Sequence, residues 1–308
     1  MPKVHVQKSI FIKKSKEEVF KVVNDFHTWS KWSPWLILEK GVTVNVPSDG
    51  KKYEWSGNLV GSGKMAVTKE IENQKVEYDL NFIKPFKSYA KVGFELKSKE
   101  NGTEVLWTMD TKLPFFMFWM KTKMEFFLGM DYNRGLELLK DWCEDGEIHS
   151  ELNFVGEEVM EATQYIGIKT NCALVDIGKN MKANYTELMT FMNQNNLGLL
   201  TGPTFSIYHK WDPIKGEASY SACVPVSSVP TSLPNSMFSD QLPQQKMYSI
   251  EHKGPYRHVT NLWSAQMMRE RAKTFKRNKK ADPIEVYLNS PQETAENELR
   301  SKVLMPII

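Results

Sequence analysis

The spacing of hydrophobic positions in the first half of the chain predicts a strand, a helix, several strands and a long helix. Residues 4–13 alternate as a strand does, and Ser15 with Glu18 has the spacing of a helix capping box, so a helix should begin at Ser15. Glycines and the hairpin signal Asn101-Gly102 then separate short runs of strand character at 51–59, 63–70, 75–82, 91–97 and 103–111. From residue 115 to residue 142 the apolar period becomes helical.

The second half of the chain contains an internal repeat. Acidic residues crowd positions 144–161, which predicts a solvated linker and a domain boundary near residue 152. A segment rich in proline and serine at 225–243 then divides the rest into two parts. Each part has the pattern strand, helix, strand, strand, over residues 161–226 and 245–308.

The two repeats align residue by residue, since 204–208 lies over 283–287. Strand alternation then places Ser206 and Tyr208 on one face of their strand, and Glu285 and Tyr287 on the equivalent face of theirs. A duplicated unit predicts pseudo-twofold symmetry. We therefore expect a cleft between the repeats that receives matching positions from both.

Length and composition narrow the class of protein. A chain of 308 residues is long enough for two domains of about 150 residues each. Its 41% hydrophobic and 25% charged residues are typical of globular proteins. The net charge of +3 argues against a whole domain devoted to nucleic acid. The three cysteines have no CxxC spacing, which disfavours a disulfide framework or a zinc site.

The sequence shows neither a signal peptide nor a membrane-spanning segment. The first residues lack the apolar core of a signal peptide, so a cytoplasmic protein is predicted. The most apolar run, at 113–120, has eight residues, far short of the roughly 20 that span a bilayer. We therefore expect a soluble protein without a membrane span.

The segment VFKVVNDFHTWSKWSPW at 19–35, with the order of elements, resembles the START-like polyketide cyclase superfamily (SRPBCC) over residues 1–150. The resemblance implies a helix-grip fold, in which a curved antiparallel sheet wraps a long helix around an apolar cavity for lipids, hormones or polyketides. Trp29, Trp32, Trp35 and the methionines after residue 115 would either line this cavity or form core. Asp131 would be either exposed or a lone polar group in the pocket.

Three segments of the second half, HKGPY at 252–256, IEVYLN at 284–289 and LRSKVLMPI at 299–307, resemble the gyrase-inhibitor-like (GyrI-like) effector-binding domain over residues 157–308. Both resemblances imply an α+β fold class. Relatives of the second domain end AraC-type and MerR-type multidrug-responsive regulators, and stand-alone relatives include cyclopropanoid hydrolases. The regulators carry a helix-turn-helix segment where this chain has the START-like domain, so direct DNA binding is not expected.

The resemblance assigns Glu285 to the family's pocket glutamate, which meets cationic ligands or, in the hydrolases, activates water. Burial would raise its pKa and suit it to general-base catalysis, whereas a bound organic cation would favour its ionised form. Tyr208, Tyr256 and Tyr287 could stack on a flat cation, and Trp263 could wall the pocket. The alternative is that these four rings are core.

Other candidate chemistry has less support. His209, His252 and His258 have no carboxylate at ligand spacing, so neither a metal nor another cofactor is expected. No serine lies in a GxSxG elbow, which disfavours a Ser-His-Asp nucleophile. The basic cluster at 269–280 lies at the end of a predicted helix, where cations complement the helix dipole.

The sequence therefore predicts a protein that senses or sequesters an apolar or cationic organic molecule in the cleft of its second domain. One alternative is a hydrolase of a strained electrophile, in which Glu285 activates water. Another is a regulator of transcription or gyrase that acts through a protein partner. A binding protein is favoured over an enzyme.

Overall fold

The computed structural model describes residues 2–195 and 201–308. Contacts between Cα atoms divide the chain into two compact units, Met1–Ser150 and Glu151–Ile308. Within the described residues no helix is long and apolar enough to cross a membrane. Each unit is mixed α and β with one antiparallel sheet, as the predicted α+β class requires.

The first unit has the helix-grip arrangement. Its elements are β1 (Lys3–Ile12), α1 (Lys16–Val23), α2 (Phe26–Trp32), β2 (Thr43–Asn45), β3 (Lys52–Ser56), β4 (Ser62–Ile71), β5 (Lys75–Lys84), β6 (Ser88–Lys99), β7 (Gly102–Lys112) and α3 (Lys121–Asp145). The strand order is β1-β7-β6-β5-β4-β3-β2. The predicted capping box starts α1, because the Glu18 amide donates to the Ser15 hydroxyl and the Ser15 amide donates to the Glu18 carboxylate.

Aromatic side chains occupy the interior of the first unit. Trp107 stacks on Phe94 and on Tyr132 of α3, with ring centroids 5.0 and 4.0 Å apart. Trp29 and Trp32 are buried in the same cluster. Of the two roles left open by the sequence, these tryptophans therefore take the core role. Trp35 is half-buried, with its ring edge on Trp107 and Tyr132.

Two features of α3 differ from the expectation. The helix begins at Lys121 and not at residue 115, because Phe115–Met120 forms a 3₁₀ segment interrupted by non-helical angles at Met117. The early methionines thus do not belong to the helical stripe. Asp131 is neither lone nor fully exposed: its carboxylate accepts a 2.7 Å hydrogen bond from the buried Arg134 guanidinium.

Over its described residues, the second unit has one eight-stranded sheet, two α-helices and short 3₁₀ segments. Its elements are β8 (Glu151–Met160), β9 (Thr163–Ala173), α4 (Ile177–Gln194), β10 (Phe205–Asp212), β11 (Glu217–Pro225), β12 (Phe238–Leu242), β13 (Gln245–Lys253), α5 (Val259–Arg271), β14 (Ile284–Tyr287) and β15 (Arg300–Pro306). The strand order is β12-β9-β11-β10-β14-β15-β13-β8.

This order has the symmetry that the sequence repeat predicts. The first repeat contributes β9-β11-β10 and the second contributes β14-β15-β13, so the two halves meet at the β10–β14 pair. There Ser206 lies directly opposite Glu285, its counterpart in the alignment of the repeats. The pseudo-twofold axis therefore passes through this pair.

The acidic segment expected to be a linker is partly a strand. β8 pairs with β13 of the second repeat, and β12 pairs with β9 of the first, so each repeat places its leading strand on the outer edge of the other. In β8 the acidic residues Glu151 and Glu157 fall on exposed positions of an edge strand. An edge strand with such exposed charges is as polar as a linker, so the charge pattern alone could not distinguish the two.

Candidate functional site

The candidate site lies at the centre of the second sheet, on the face that carries the helices. α4 packs on β9 and β11, while α5 packs on β13 and β15, so β10 and β14 lie between the two helices. Ser206 and Tyr208 of β10 share this face with Glu285 and Tyr287 of β14, because paired residues and residues two apart point the same way. The positions that the repeat predicts to face a cleft thus share one face of the sheet, and this part of the sheet, between α4 and α5, is called the cleft below.

Glu285 lies at the centre of this face and is buried, with only 3% of its surface exposed. The indole Nε1 of Trp263 donates a 2.5 Å hydrogen bond to its Oε2, and the Tyr208 hydroxyl donates a 3.3 Å bond to the same oxygen. The Tyr287 hydroxyl lies near enough to lower the pKa of this carboxyl. Neutral polar groups from both repeats therefore converge on one carboxylate.

Aromatic rings surround this carboxylate. Trp263 and Tyr208 meet edge to face with centroids 5.0 Å apart, and Tyr256 meets Tyr287 in the same way at 5.8 Å. The structure thus brings together all five residues selected from the sequence. Whether they bind a ligand stays a prediction.

Two further polar residues of the site, Tyr185 and Ser206, were not selected as ligand-binding residues, although Ser206 was expected on this face of its strand. The Tyr185 hydroxyl of α4 donates to the Phe205 carbonyl at 2.7 Å and lies 3.0 Å from the Ser206 hydroxyl. Ser206 in turn lies 3.3 Å from the Tyr287 hydroxyl. Tyr185 lies on the apolar side of α4 with Leu188 and Met192, and a hydroxyl on such an apolar side was the available signal.

The electrostatics of the cleft follow from burial. Desolvation raises the pKa of Glu285, and the hydrogen bonds from Trp263, Tyr287 and Tyr208 oppose this rise without cancelling it. Burial also raises the pKa of Tyr256 to about 12, and the charge of Glu285 adds to that rise. The tyrosine hydroxyls therefore stay protonated at neutral pH and serve as donors.

A Ser-His-Asp arrangement is present, although no sequence motif predicted one. The His209 ring lies 2.8 Å from the Ser221 hydroxyl through Nε2 and 2.7 Å from the Asp282 carboxylate through Nδ1. Ser221 is completely buried in β11. A substrate has no surface of this serine to approach, so the three side chains tie β10 and β11 to the segment before β14.

The other candidates give no site. Among the described residues no group of three or more histidine, cysteine or acidic side chains could hold a metal ion. Part of the basic cluster is structural: the Arg269 guanidinium is buried 3.8 Å from the centre of the Phe154 ring, and Arg277 pairs with Glu270. The three cysteines are free thiols.

Comparisons with known proteins place these observations in families. No curated protein matches the sequence. Among solved structures, the chain is similar to EcmrR in its DNA complex, at 14% identity over 60% of this chain and 67% of that chain with a TM-score of 0.44. It is similar to the Aha1 dimer from Colwellia psychrerythraea at 22% identity, over 46% and 98% of the two chains, with a TM-score of 0.35. SAV2435, bound to tetraphenylphosphonium, matches at 12% identity over 49% and 92%, with a TM-score of 0.36.

The similarity to these solved structures is weak, and the family of the chain is decided by the matches to family models. Residues 3–144 match the family described as polyketide cyclase, dehydrase and lipid transport. Residues 155–308, half of the chain, match the GyrI-like small molecule binding domain. The chain therefore belongs to the GyrI-like small-molecule-binding family, and a domain of the polyketide cyclase type precedes its binding domain.

Proposed function

We propose that the cleft of the second unit binds a hydrophobic organic cation and that Glu285 is its counter-charge. The observation that carries the proposal is a buried carboxylate that accepts hydrogen bonds from an indole and a phenol, with a second phenol beside it. Among the described residues, the side chains that shift its pKa are these neutral groups, and none of them is a lysine or an arginine. An ionised carboxylate buried without a cation costs free energy, which a bound cation would recover.

The aromatic walls favour the same class of ligand. Trp263, Tyr208, Tyr256 and Tyr287 offer ring faces and edges around one negative charge. Aromatic faces attract cations, most strongly when the site is desolvated. A flat or aryl-substituted cation would therefore combine apolar burial with charge recognition, whereas a small hydrated cation would lose its water without gaining such contacts.

Calorimetric titration with tetraphenylphosphonium tests the proposal. We expect saturable binding to the wild-type chain and at least about a tenfold weaker affinity for Glu285→Gln, since losing a buried charge pair costs more than 1.4 kcal/mol. Glu251→Gln is the matched control, because Glu251 lies in the same sheet but already pairs with Lys302 and Arg300. Equal affinity of wild type and Glu285→Gln would contradict the counter-charge role.

One observation favours a second candidate, hydrolysis of a strained electrophile. A carboxylate with a raised pKa beside tyrosine hydroxyls suits general-base catalysis. Glu285 would take a proton from water while the water oxygen bonds to a ring carbon, and the proton would pass to the carbon released when the ring bond breaks. Mass spectrometry of a cyclopropane electrophile incubated with the protein would detect a water adduct that Glu285→Gln fails to form.

The remaining expectations stay predictions. A regulatory role through a protein partner fits a small-molecule binding domain, and binding of such a partner should survive Glu285→Gln if the cleft only senses the ligand. A cytoplasmic location, and function without a cofactor, rest on the sequence alone.

A further inference from the structure

The first unit carries a group of aromatic side chains that face solvent. The group is named here the aromatic patch and comprises Phe86, Phe115, Phe116, Phe118 and Trp119, with exposed fractions of 80, 75, 75, 62 and 68%. Phe86 lies between β5 and β6, and the other four lie in the 3₁₀ segment before α3. Exposed apolar residues normally occur singly, so five together mark a docking surface.

The two segments of the aromatic patch leave the sheet at the same end. Ala90 near the start of β6 pairs with Thr111 near the end of β7, and the Thr111 hydroxyl donates a 2.6 Å hydrogen bond to the Tyr89 carbonyl. Within the 3₁₀ segment the Phe115 and Phe118 rings are 6.4 Å apart. The patch is therefore one surface made by two neighbouring segments.

The charged residues within the two segments of the aromatic patch are all lysines. Residues 84–90 and 111–124 contain five lysines and no aspartate or glutamate. All five are exposed: Lys84, Lys87, Lys112, Lys121 and Lys123. Lys121 also lies 3.7 Å from Glu125 one helical turn away. An apolar centre thus has a cationic rim.

We propose that the aromatic patch docks on the surface of an anionic phospholipid bilayer. Phenylalanine and tryptophan rings enter the boundary between headgroups and acyl chains, and the long lysine side chains reach the lipid phosphates. A second copy of the chain is a poorer occupant, because a symmetric contact through the patch would bring two lysine rims together. The mode is interfacial, in keeping with the lack of a membrane-spanning helix among the described residues.

Vesicle flotation tests the proposal. The full chain should float with vesicles of phosphatidylcholine and phosphatidylglycerol, and much less with phosphatidylcholine alone. Phe116→Ser/Trp119→Ser should weaken the partitioning at least about tenfold. Lys121→Gln/Lys123→Gln should weaken it about fivefold for each lysine removed, since a cation near an anionic surface contributes about 1 kcal/mol.

The control variant substitutes exposed apolar residues outside the aromatic patch. Val175→Ser/Ile214→Ser changes two side chains of the second unit that are 91 and 56% exposed, and it should float as the wild type does. The lysine variant keeps every aromatic ring, so it still decides the question if the serine variant misfolds. Wild-type protein that ignores anionic vesicles would overturn the proposal. So would a wild-type dimer that the serine variant converts to a monomer without any flotation, since the patch would then join two copies.

Discussion

At the scale of single residues, Glu285 is held in place by neutral donors. Trp263 and Tyr208 donate to its Oε2, and Tyr287 also lowers its pKa, yet desolvation raises that pKa overall. A carboxylate in this state gains more from a cation than an exposed one does. The negative charge of Glu285 is therefore available to pair with a cationic ligand, because the groups that bond to it are neutral.

The raised pKa predicts that cation binding depends on pH. A cation binds the ionised form, so tetraphenylphosphonium affinity should increase as the pH rises through the pKa of Glu285 and level off above it, with protons released on binding below that plateau. Calorimetry in buffers of different ionisation enthalpy measures both quantities. Glu285→Gln should show neither, and a wild-type affinity independent of pH would contradict the prediction.

His252 predicts a pH dependence of stability. Burial lowers the pKa of this imidazole to about 4, and the charge of His258 acts in the same direction. Between about pH 6.5 and pH 4 the His252 imidazole is protonated in the unfolded chain but neutral in the folded chain. The free energy of unfolding therefore decreases as the pH falls through this window. The loss at about pH 5 should be about 2 kcal/mol.

Denaturant unfolding at neutral pH and at about pH 5 measures this loss. His252→Gln should lose less than the wild type. Glu285 acts in the opposite direction, because its raised pKa favours the fold as it becomes protonated, so Glu285→Gln should lose more than the wild type. Equal losses for all three proteins would show that neither group is titrated in this way.

Strand alternation predicts which face of the sheet a residue lies on, so the site residues that share a face could be predicted from the sequence. Contacts between side chains of neighbouring strands could not be predicted, because they depend on how the strands pair. Alternation and the repeat put Tyr208, Glu285 and Tyr287 on one face. The bond between His209 and Ser221, by contrast, depends on the pairing of β10 with β11 and on a register shift after Tyr208. Local sequence contains no signal for such a contact.

At the scale of elements, two glycines of α3 have opposite roles. A Cβ at Gly135 would lie 2.5 Å from Cζ3 of Trp107 and 2.9 Å from Cγ of Pro34, so the helix needs glycine there to approach the aromatic core. A Cβ at Gly129 would meet only the flexible end of Lys8, at 3.2 Å. Close packing therefore decides the effect of a substitution at Gly135, and helix propensity decides it at Gly129.

This contrast predicts opposite effects of the same substitution. Gly135→Ala should lower the free energy of unfolding by about 1–3 kcal/mol through overpacking. Gly129→Ala should raise it by up to about 1 kcal/mol, because alanine is the better helix former. Thermal or denaturant unfolding of the two variants measures both changes. A Gly135→Ala protein as stable as the wild type would contradict the close approach of helix and core.

Most elements followed from periodicity, and the exceptions have physical causes. Capping box, hairpin signal and duplicated strand-helix-strand-strand order all appear in the structure. β8 and β12 were missed because edge strands with polar exposed faces resemble linkers. Phe115–Met120 was assigned to a helix because its aromatic run has helical spacing, although nothing buries it.

At the scale of the whole molecule, the chain consists of two units of different family, and β8 belongs to the second. β8 covers the edge of β13 from Gln245 to Lys253, a strand that contains the fully buried Met247 and Ile250. The second unit is therefore complete only if it includes the acidic segment.

A fragment of residues 151–308 should unfold cooperatively, whereas a fragment of residues 161–308 should melt at a lower temperature and aggregate through the exposed edge of β13. Circular dichroism and size-exclusion chromatography compare the two fragments. Equal melting temperatures and monomeric behaviour would mean that β8 adds nothing to the stability of the sheet.

The central claim is that the cleft selects positive charge through Glu285. Tetraphenylphosphonium and tetraphenylborate have nearly the same size and shape and opposite charges, so the ratio of their affinities isolates the electrostatic part of binding. We expect the wild-type chain to prefer the cation strongly at neutral pH, and Glu285→Gln to lose most of that preference while it retains apolar affinity. A wild-type chain that binds both ions equally, or a preference for the cation that persists unchanged in Glu285→Gln, would contradict the claim.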